Sequence, residues 1–67
     1  MNAKSIDRVY RGKTRPFLQQ VFGKPDKTQG TWRGFTGMNI TDAQGTKYST
    51  AWFGFTNGVV QQVRFDK

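Results

Sequence analysis

Apolar residues recur at helical spacing in the first third of the chain, then give way to a denser, aromatic-rich pattern. Ile6, Val9 and Tyr10 stand at i, i+3 and i+4, which predicts one short helical turn with a small apolar face. Gly12 weakens any continuation. Thr14 suits the N-cap of a second helix, and Pro16 is tolerated in a first turn whose N–H groups lack intrahelical partners. Phe17, Leu18, Val21 and Phe22 then form an amphipathic stripe. Gly23 suits a left-handed C′ position and Pro25 forbids continuation, so the pattern predicts helix over residues 15–22.

From Thr31 the period changes. Residues 31–40 read as a strand with Trp32 and Phe35. A polar turn follows at residues 41–45. Residues 47–56 read as a second strand, where Tyr48, Trp52, Phe53 and Phe55 favour the pleated state. Asn57-Gly58 is the strongest local signal, because a two-residue type I′ hairpin needs positive φ at both central positions. Residues 59–65 form the returning strand. An unbroken register from that turn pairs Thr56 with Val59, Phe55 with Val60, Phe53 with Gln62, Trp52 with Val63 and Thr50 with Phe65. One face would then carry Tyr48, Trp52, Val59, Val63 and Phe65, and the other Ala51, Phe53, Phe55 and Val60 with Gln62 and Arg64. A bulge in the last strand would shift this allocation. Gly34 and Gly54 lie inside strands, where glycine marks a bulge or a close approach.

The expected fold is therefore α+β: one or two short N-terminal helices packed on a three-stranded antiparallel β-meander. One domain spans residues 1–67, with its helical part at 5–23 and its meander at 30–66. One short helix covers one sheet face only, so the other is expected to show aromatics to solvent, as interaction surfaces do.

Composition narrows the chemistry. The 67 residues include no Cys and no His, which excludes a disulfide framework and a thiolate or imidazole metal site. The acids are Asp7, Asp26, Asp42 and Asp66, without EF-hand spacing. No metal or other cofactor is expected. General acid–base work needs a group titrating near neutrality, and Ser5 and Ser49 have no His to activate them, so no catalytic residue is assigned. Gly12-Lys13-Thr14 lacks the remainder of a phosphate loop and reads as a turn into a Thr-capped helix.

Eleven Lys and Arg against four acids give a formal net charge of +7, with seven of the cations in residues 1–28. This balance favours anionic partners: nucleic acid, an acidic protein surface or anionic lipid. Arg8, Arg11, Lys13 and Arg15 are either phosphate contacts or a solvated helix face. Arg33 and Arg64 sit on strands beside aromatics, an arrangement that holds single-stranded nucleic acid by stacking. Trp32, Trp52, Phe53 and Phe55 either build the core under helix 15–22 or remain partly exposed.

Gly12-Lys13-Thr14, a short helix ending in Phe22-Gly23-Lys24-Pro25, Trp32-Arg33-Gly34-Phe35 opening a strand, and Phe55-Thr56-Asn57-Gly58-Val59-Val60 with Val63 follow in an order that resembles the SmpA/OmlA, or BamE-like, family of small outer-membrane lipoproteins. The resemblance runs over roughly residues 6–65. It implies helices on a three-stranded antiparallel sheet, and a non-catalytic accessory role contacting protein partners and anionic lipid. This chain carries no lipoprotein signal and no Cys, so the resemblance implies a soluble version, of the kind a phage or plasmid could encode. As written the chain is expected in the cytoplasm, or in the periplasm or envelope if a signal segment was removed.

The expected function is a small basic binding or accessory module that docks on a protein partner through an aromatic sheet face. Nucleic-acid binding is the alternative, and anionic lipid and a second copy of the chain are further candidate partners. The candidate partner-binding residues are Arg8, Arg11, Lys13, Arg15, Arg33, Trp52, Phe53, Phe55 and Arg64.

Overall fold

A computed structural model describes residues 1–67. The first helix, α1, spans Ala3–Tyr10, and the second, α2, spans Arg15–Phe22. The strands follow as β1 (Lys27–Gln29), β2 (Trp32–Phe35), β3 (Ile40–Thr41), β4 (Lys47–Tyr48), β5 (Thr50–Thr56) and β6 (Val59–Asp66).

Helix α1 begins earlier than its apolar spacing alone predicts because Asn2 caps it, its side chain accepting from the Ser5 N–H at 3.1 Å. Ala3, Ile6 and Tyr10 thereby share an inward face, while Val9 stays half exposed. Helix α2 has the predicted bounds: Thr14 accepts from the Phe17 N–H, Pro16 lies in the first turn, and Gly23 has a φ of 83°. Of its four-residue apolar stripe only Leu18 and Phe22 pack inward. Phe17 and Val21 keep 40% and 47% of their surface exposed.

The main sheet is antiparallel in the order β1-β2-β5-β6. Its three longer strands are the expected meander, and α+β is the fold class. The fourth strand, β1, is an addition: Lys27, Thr28 and Gln29 are all exposed, so no apolar alternation announces them. Their hairpin turns at Gly30-Thr31, with positive φ at Gly30 alone, as a two-residue II′ turn requires. The predicted strand 31–40 stops at Phe35. Residues 47–56 divide at Ser49, and β3 and β4 pair as a separate ribbon that buries Ile40 completely.

The β5–β6 hairpin has positive φ at both Asn57 (54°) and Gly58 (81°), as predicted. Thr56 faces Val59 and Phe55 faces Val60, but a bulge then shifts the register. Gly54 pairs with Gln62, Phe53 with Val63, Trp52 with Arg64, Ala51 with Phe65 and Thr50 with Asp66. Gln61 is the extra residue. The unbroken register set out above fails from Gln61 onward, and with it the expectation of two similarly apolar faces. Because side chains alternate with period two, the inserted residue turns Val63 and Phe65 to the same side as Phe53, Phe55 and Val60, and sends Gln62 and Arg64 to the other.

That apolar side is where both helices pack. Phe53 has no exposed surface, and its ring is approached by Tyr10 at 6.2 Å, Phe22 at 5.8 Å and Phe35 at 5.8 Å. The α1–α2 connection is stitched to β6: the Gly12 N–H donates to the Val60 carbonyl at 2.8 Å, and the Val60 N–H donates to the Lys13 carbonyl at 2.9 Å. In a two-residue hairpin the second pair is not mutually hydrogen-bonded, so Val60 points its backbone outward, and this loop satisfies it.

Candidate functional site

The sheet face away from the helices carries Trp32, Gly34, Trp52, Gly54, Gln62, Arg64 and, on β1, Gln29. Antiparallel pairing sets Trp32 opposite Gly54 and Gly34 opposite Trp52. Each indole crosses to lie on the other strand's glycine. A β-carbon at Gly34 would stand 3.0–3.1 Å from three atoms of the Trp52 ring, and one at Gly54 would stand 3.2 Å from three atoms of the Trp32 ring. Near-equal distances to three ring atoms mean that each ring lies flat, one π-face on the sheet and the other turned outward. A larger residue at either glycine would tilt them up.

The two rings are held differently. The Trp52 Nε1–H donates to Asp66 Oδ2 at 3.0 Å, and Asp66 also stands 3.8 Å from an Arg64 Nη2. Trp32 has the Arg64 guanidinium 5.7 Å above its ring centroid, within cation–π range. Gln29, Trp32, Trp52 and Arg64 line a shallow depression of about 300 Å³.

Several predicted site residues lie elsewhere. Phe53 and Phe55, expected among the partner-binding residues, are 0% and 8% exposed and belong to the core; neither reaches the open sheet face. Alternation along β5 is the physical reason: Phe53 and Phe55 point to the side that the helices cover, where the bulge adds Val63 and Phe65 of β6, while Trp52 points away. Arg33 and Arg64, grouped together in the sequence, are on opposite sides of the sheet, because Arg33 alternates with Trp32 and Gly34. Arg33 instead meets Arg15 beside Phe55. Arg8 stands apart from that end of the sheet, near Lys4 and Phe65. Arg11 is paired with Asp7 at 2.7 Å and also donates to the Gln61 carbonyl, while Lys13 lies over the Phe17 ring at 5.4 Å. Trp32 is the site residue that the sequence reading missed. Its signal was present: Trp32-Arg33-Gly34 and Trp52-Phe53-Gly54 repeat a Trp-x-Gly unit on two neighbouring strands. Only antiparallel pairing at this register makes the two units complementary.

The acids explain the bareness of the cations. Asp7 holds Arg11, and Asp26 accepts from the Thr36 N–H at 2.7 Å and its hydroxyl at 3.0 Å. Asp42 accepts from the Gln44 and Thr46 N–H groups and the Tyr48 hydroxyl, each at 2.9 Å, and Asp66 holds Trp52. These bonds set the titration of the two loop acids. The Thr36 backbone bond, aided by its hydroxyl, holds the Asp26 carboxyl below its ordinary value. At Asp42 partial desolvation pushes upward, but the combined bonds from Tyr48, Thr46 and Gln44 outweigh it and the net shift is downward. The hydrogen bond to Asp42 in turn raises the Tyr48 phenol. Among eleven Lys and Arg, only Arg11 and Arg64 form an ion pair with a carboxylate. No three acids converge on a point where a metal could bind.

No family profile, curated protein or solved structure matches this chain.

Proposed function

We propose that the protein is a small non-catalytic binding module that docks on an acidic protein surface through the open sheet face, with Trp32 and Trp52 as anchors and Arg64 beside them. The observation that carries this reading is the reciprocal seating of two tryptophans on two glycines, on the one sheet face that the helices leave bare. Tryptophan and arginine carry a disproportionate share of binding energy at protein interfaces, and rings already immobilised on the sheet lose little freedom on docking. The nine cations without carboxylate partners supply long-range attraction to an acidic partner. The resemblance to BamE-like accessory domains supports the same reading.

A photo-crosslinking amino acid at Gln62, on the open face, tests it against one at Gln20, on the exposed side of α2. The expected result in native host cells is a discrete protein adduct from position 62 that disappears with Trp52→Ala and is absent from position 20. Equal adducts from both positions, or none from position 62, would refute the reading.

The outward π-faces favour a second reading, in which single-stranded nucleic acid stacks on the same two rings with Arg64 as a phosphate or cation–π contact. Fluorescence anisotropy with single- and double-stranded oligonucleotides across a salt series separates the two. Single-strand binding that persists at about 0.15 M salt and is lost in Trp32→Ala and Trp52→Ala favours nucleic acid; signal that vanishes with salt reports charge attraction alone.

A further inference from the structure

A second cleft lies on the helix-covered side, at the end of the sheet where the Gly30-Thr31 and Asn57-Gly58 turns meet the start of α2. We propose that it binds a small dianionic phosphate monoester between Arg15 and Arg33. Both arginines line a cleft of about 120 Å³ with Gln19, Pro25, Phe35 and Phe55. Both also line an adjoining depression of about 210 Å³ bordered by the two turns. No carboxylate lines either space.

The two guanidinium groups are positioned, not merely exposed. Arg33 Nη1 donates to the Gly30 carbonyl at 2.7 Å and to the Trp32 carbonyl at 3.0 Å, which fixes the plane of the group and leaves its remaining N–H donors without protein acceptors. Arg15 lies over the Phe55 ring, 5.9 Å from guanidinium carbon to centroid. Two like charges facing one opening repel each other, and an anion between them relieves that repulsion. Planar donor forks match the geometry of phosphate oxygens, and the apolar wall of Phe35, Phe55 and Pro25 weakens competition from water. The smaller cleft suits the phosphate group and the adjoining depression a short organic substituent. Two fixed positive charges match a dianion and exceed what a single carboxylate neutralises.

This site is separate from the tryptophan face, so the two readings fail independently. The test is a titration of the whole chain with phenyl phosphate at pH 7.5, where the monoester is a dianion because its second pKa is about 6. Backbone amides and arginine Nε–H resonances are followed by NMR at constant ionic strength. Saturable shifts are expected at Arg15 and Arg33 and at the amides of Gly30 and Thr31, with Arg8 and Arg64 unmoved. Arg15→Gln and Arg33→Gln should each weaken binding about tenfold or more, as loss of a charge-assisted hydrogen bond does. Benzoate should bind at least about tenfold more weakly, Trp52→Ala should bind as the wild type does, and affinity should fall between pH 7.5 and pH 5 as the ligand takes up a proton. Arg33→Lys serves if Arg33→Gln disturbs the Gly30 turn, since it keeps the charge and loses the fork; it too should bind more weakly. Shifts spread over all arginines, equal affinity for benzoate, or unchanged affinity in Arg15→Gln would overturn the proposal.

Discussion

Replacing Gly34 by alanine puts the seating of Trp52 under direct test. The backbone at Gly34 is not in the left-handed region, so alanine meets no conformational barrier there. Glycine inside a strand costs roughly 0.5–1 kcal/mol relative to alanine, and on that ground alone Gly34→Ala would stabilise the sheet. The new methyl, however, would lie 3.0 Å from Cε3 and Cζ3 of Trp52 and 3.1 Å from Cη2, tighter than ordinary carbon contact. The ring must rise by several tenths of an ångström, and its Nε1–H is tied to Asp66 at 3.0 Å, so that bond stretches with it. Overpacking of this kind costs about 1–3 kcal/mol, and the balance is a net destabilisation centred on about 1 kcal/mol. Gly54→Ala provides the contrast. Its methyl would meet Trp32 at 3.2 Å, and no hydrogen bond anchors that indole, so the two effects should cancel to within about 0.5 kcal/mol. Urea unfolding followed by tryptophan fluorescence and far-ultraviolet circular dichroism measures both, with an unchanged m-value required for the comparison. Asp66→Ala releases the tether and should recover part of the Gly34→Ala penalty, a coupling of about 0.5 kcal/mol or more. A Gly34→Ala protein as stable as the wild type, or a Gly54→Ala protein less stable than Gly34→Ala, would refute the flat seating of the rings.

Phe53→Ala should lose about 3–5 kcal/mol, because the side chain is fully enclosed among Tyr10, Phe22 and Phe35. A chain of this length has roughly 3–10 kcal/mol in all, so denaturant titration should find a large share of that margin gone. Asn57→Val places a β-branched residue at positive φ and should cost about 1–2 kcal/mol by the same measurement. Asp26 and Asp42 titrate below their ordinary 3.8 in the folded chain, so their contribution is complete above that value and is lost as pH falls through the lowered folded values. Acid unfolding followed by circular dichroism should therefore begin below pH 4, and Asp26→Asn with Asp42→Asn should flatten the dependence there. The raised Tyr48 phenol acts at the other end: its contribution is present below pH 10 and disappears as pH rises through the elevated folded value, a loss that Tyr48→Phe removes.

Much of the architecture is legible because it rests on local rules. Thr14, Pro16 and Gly23 bound α2 through caps that involve only neighbouring residues, and Asn57-Gly58 makes its turn through its own backbone preferences. The spacing of Ile6, Val9 and Tyr10 announces α1, although its start depends on the Asn2 cap. Strand β1 escapes such reasoning because its three residues face solvent and its place is decided by pairing with β2. The candidate site was legible only in fragments: Trp52 and Arg64 as candidate contacts but on opposite faces, until the bulge brings them together, and Arg15 and Arg33 as cations without a shared location.

Sequence by itself thus determined the α+β class, the two helices, the central hairpin and a surplus of positive charge, since propensity, capping and composition act over a few residues. Tertiary structure alone decided which aromatics face outward. One inserted residue, Gln61, inverts the alternation of everything after it on β6, turning Val63 and Phe65 to the core side, where they are partly buried, and leaving the open face to Trp32, Trp52 and Arg64. No local propensity specifies that bulge. It follows from burying apolar surface on one side of the sheet while the α1–α2 connection hydrogen-bonds Val60, and both are interactions between segments far apart in the chain.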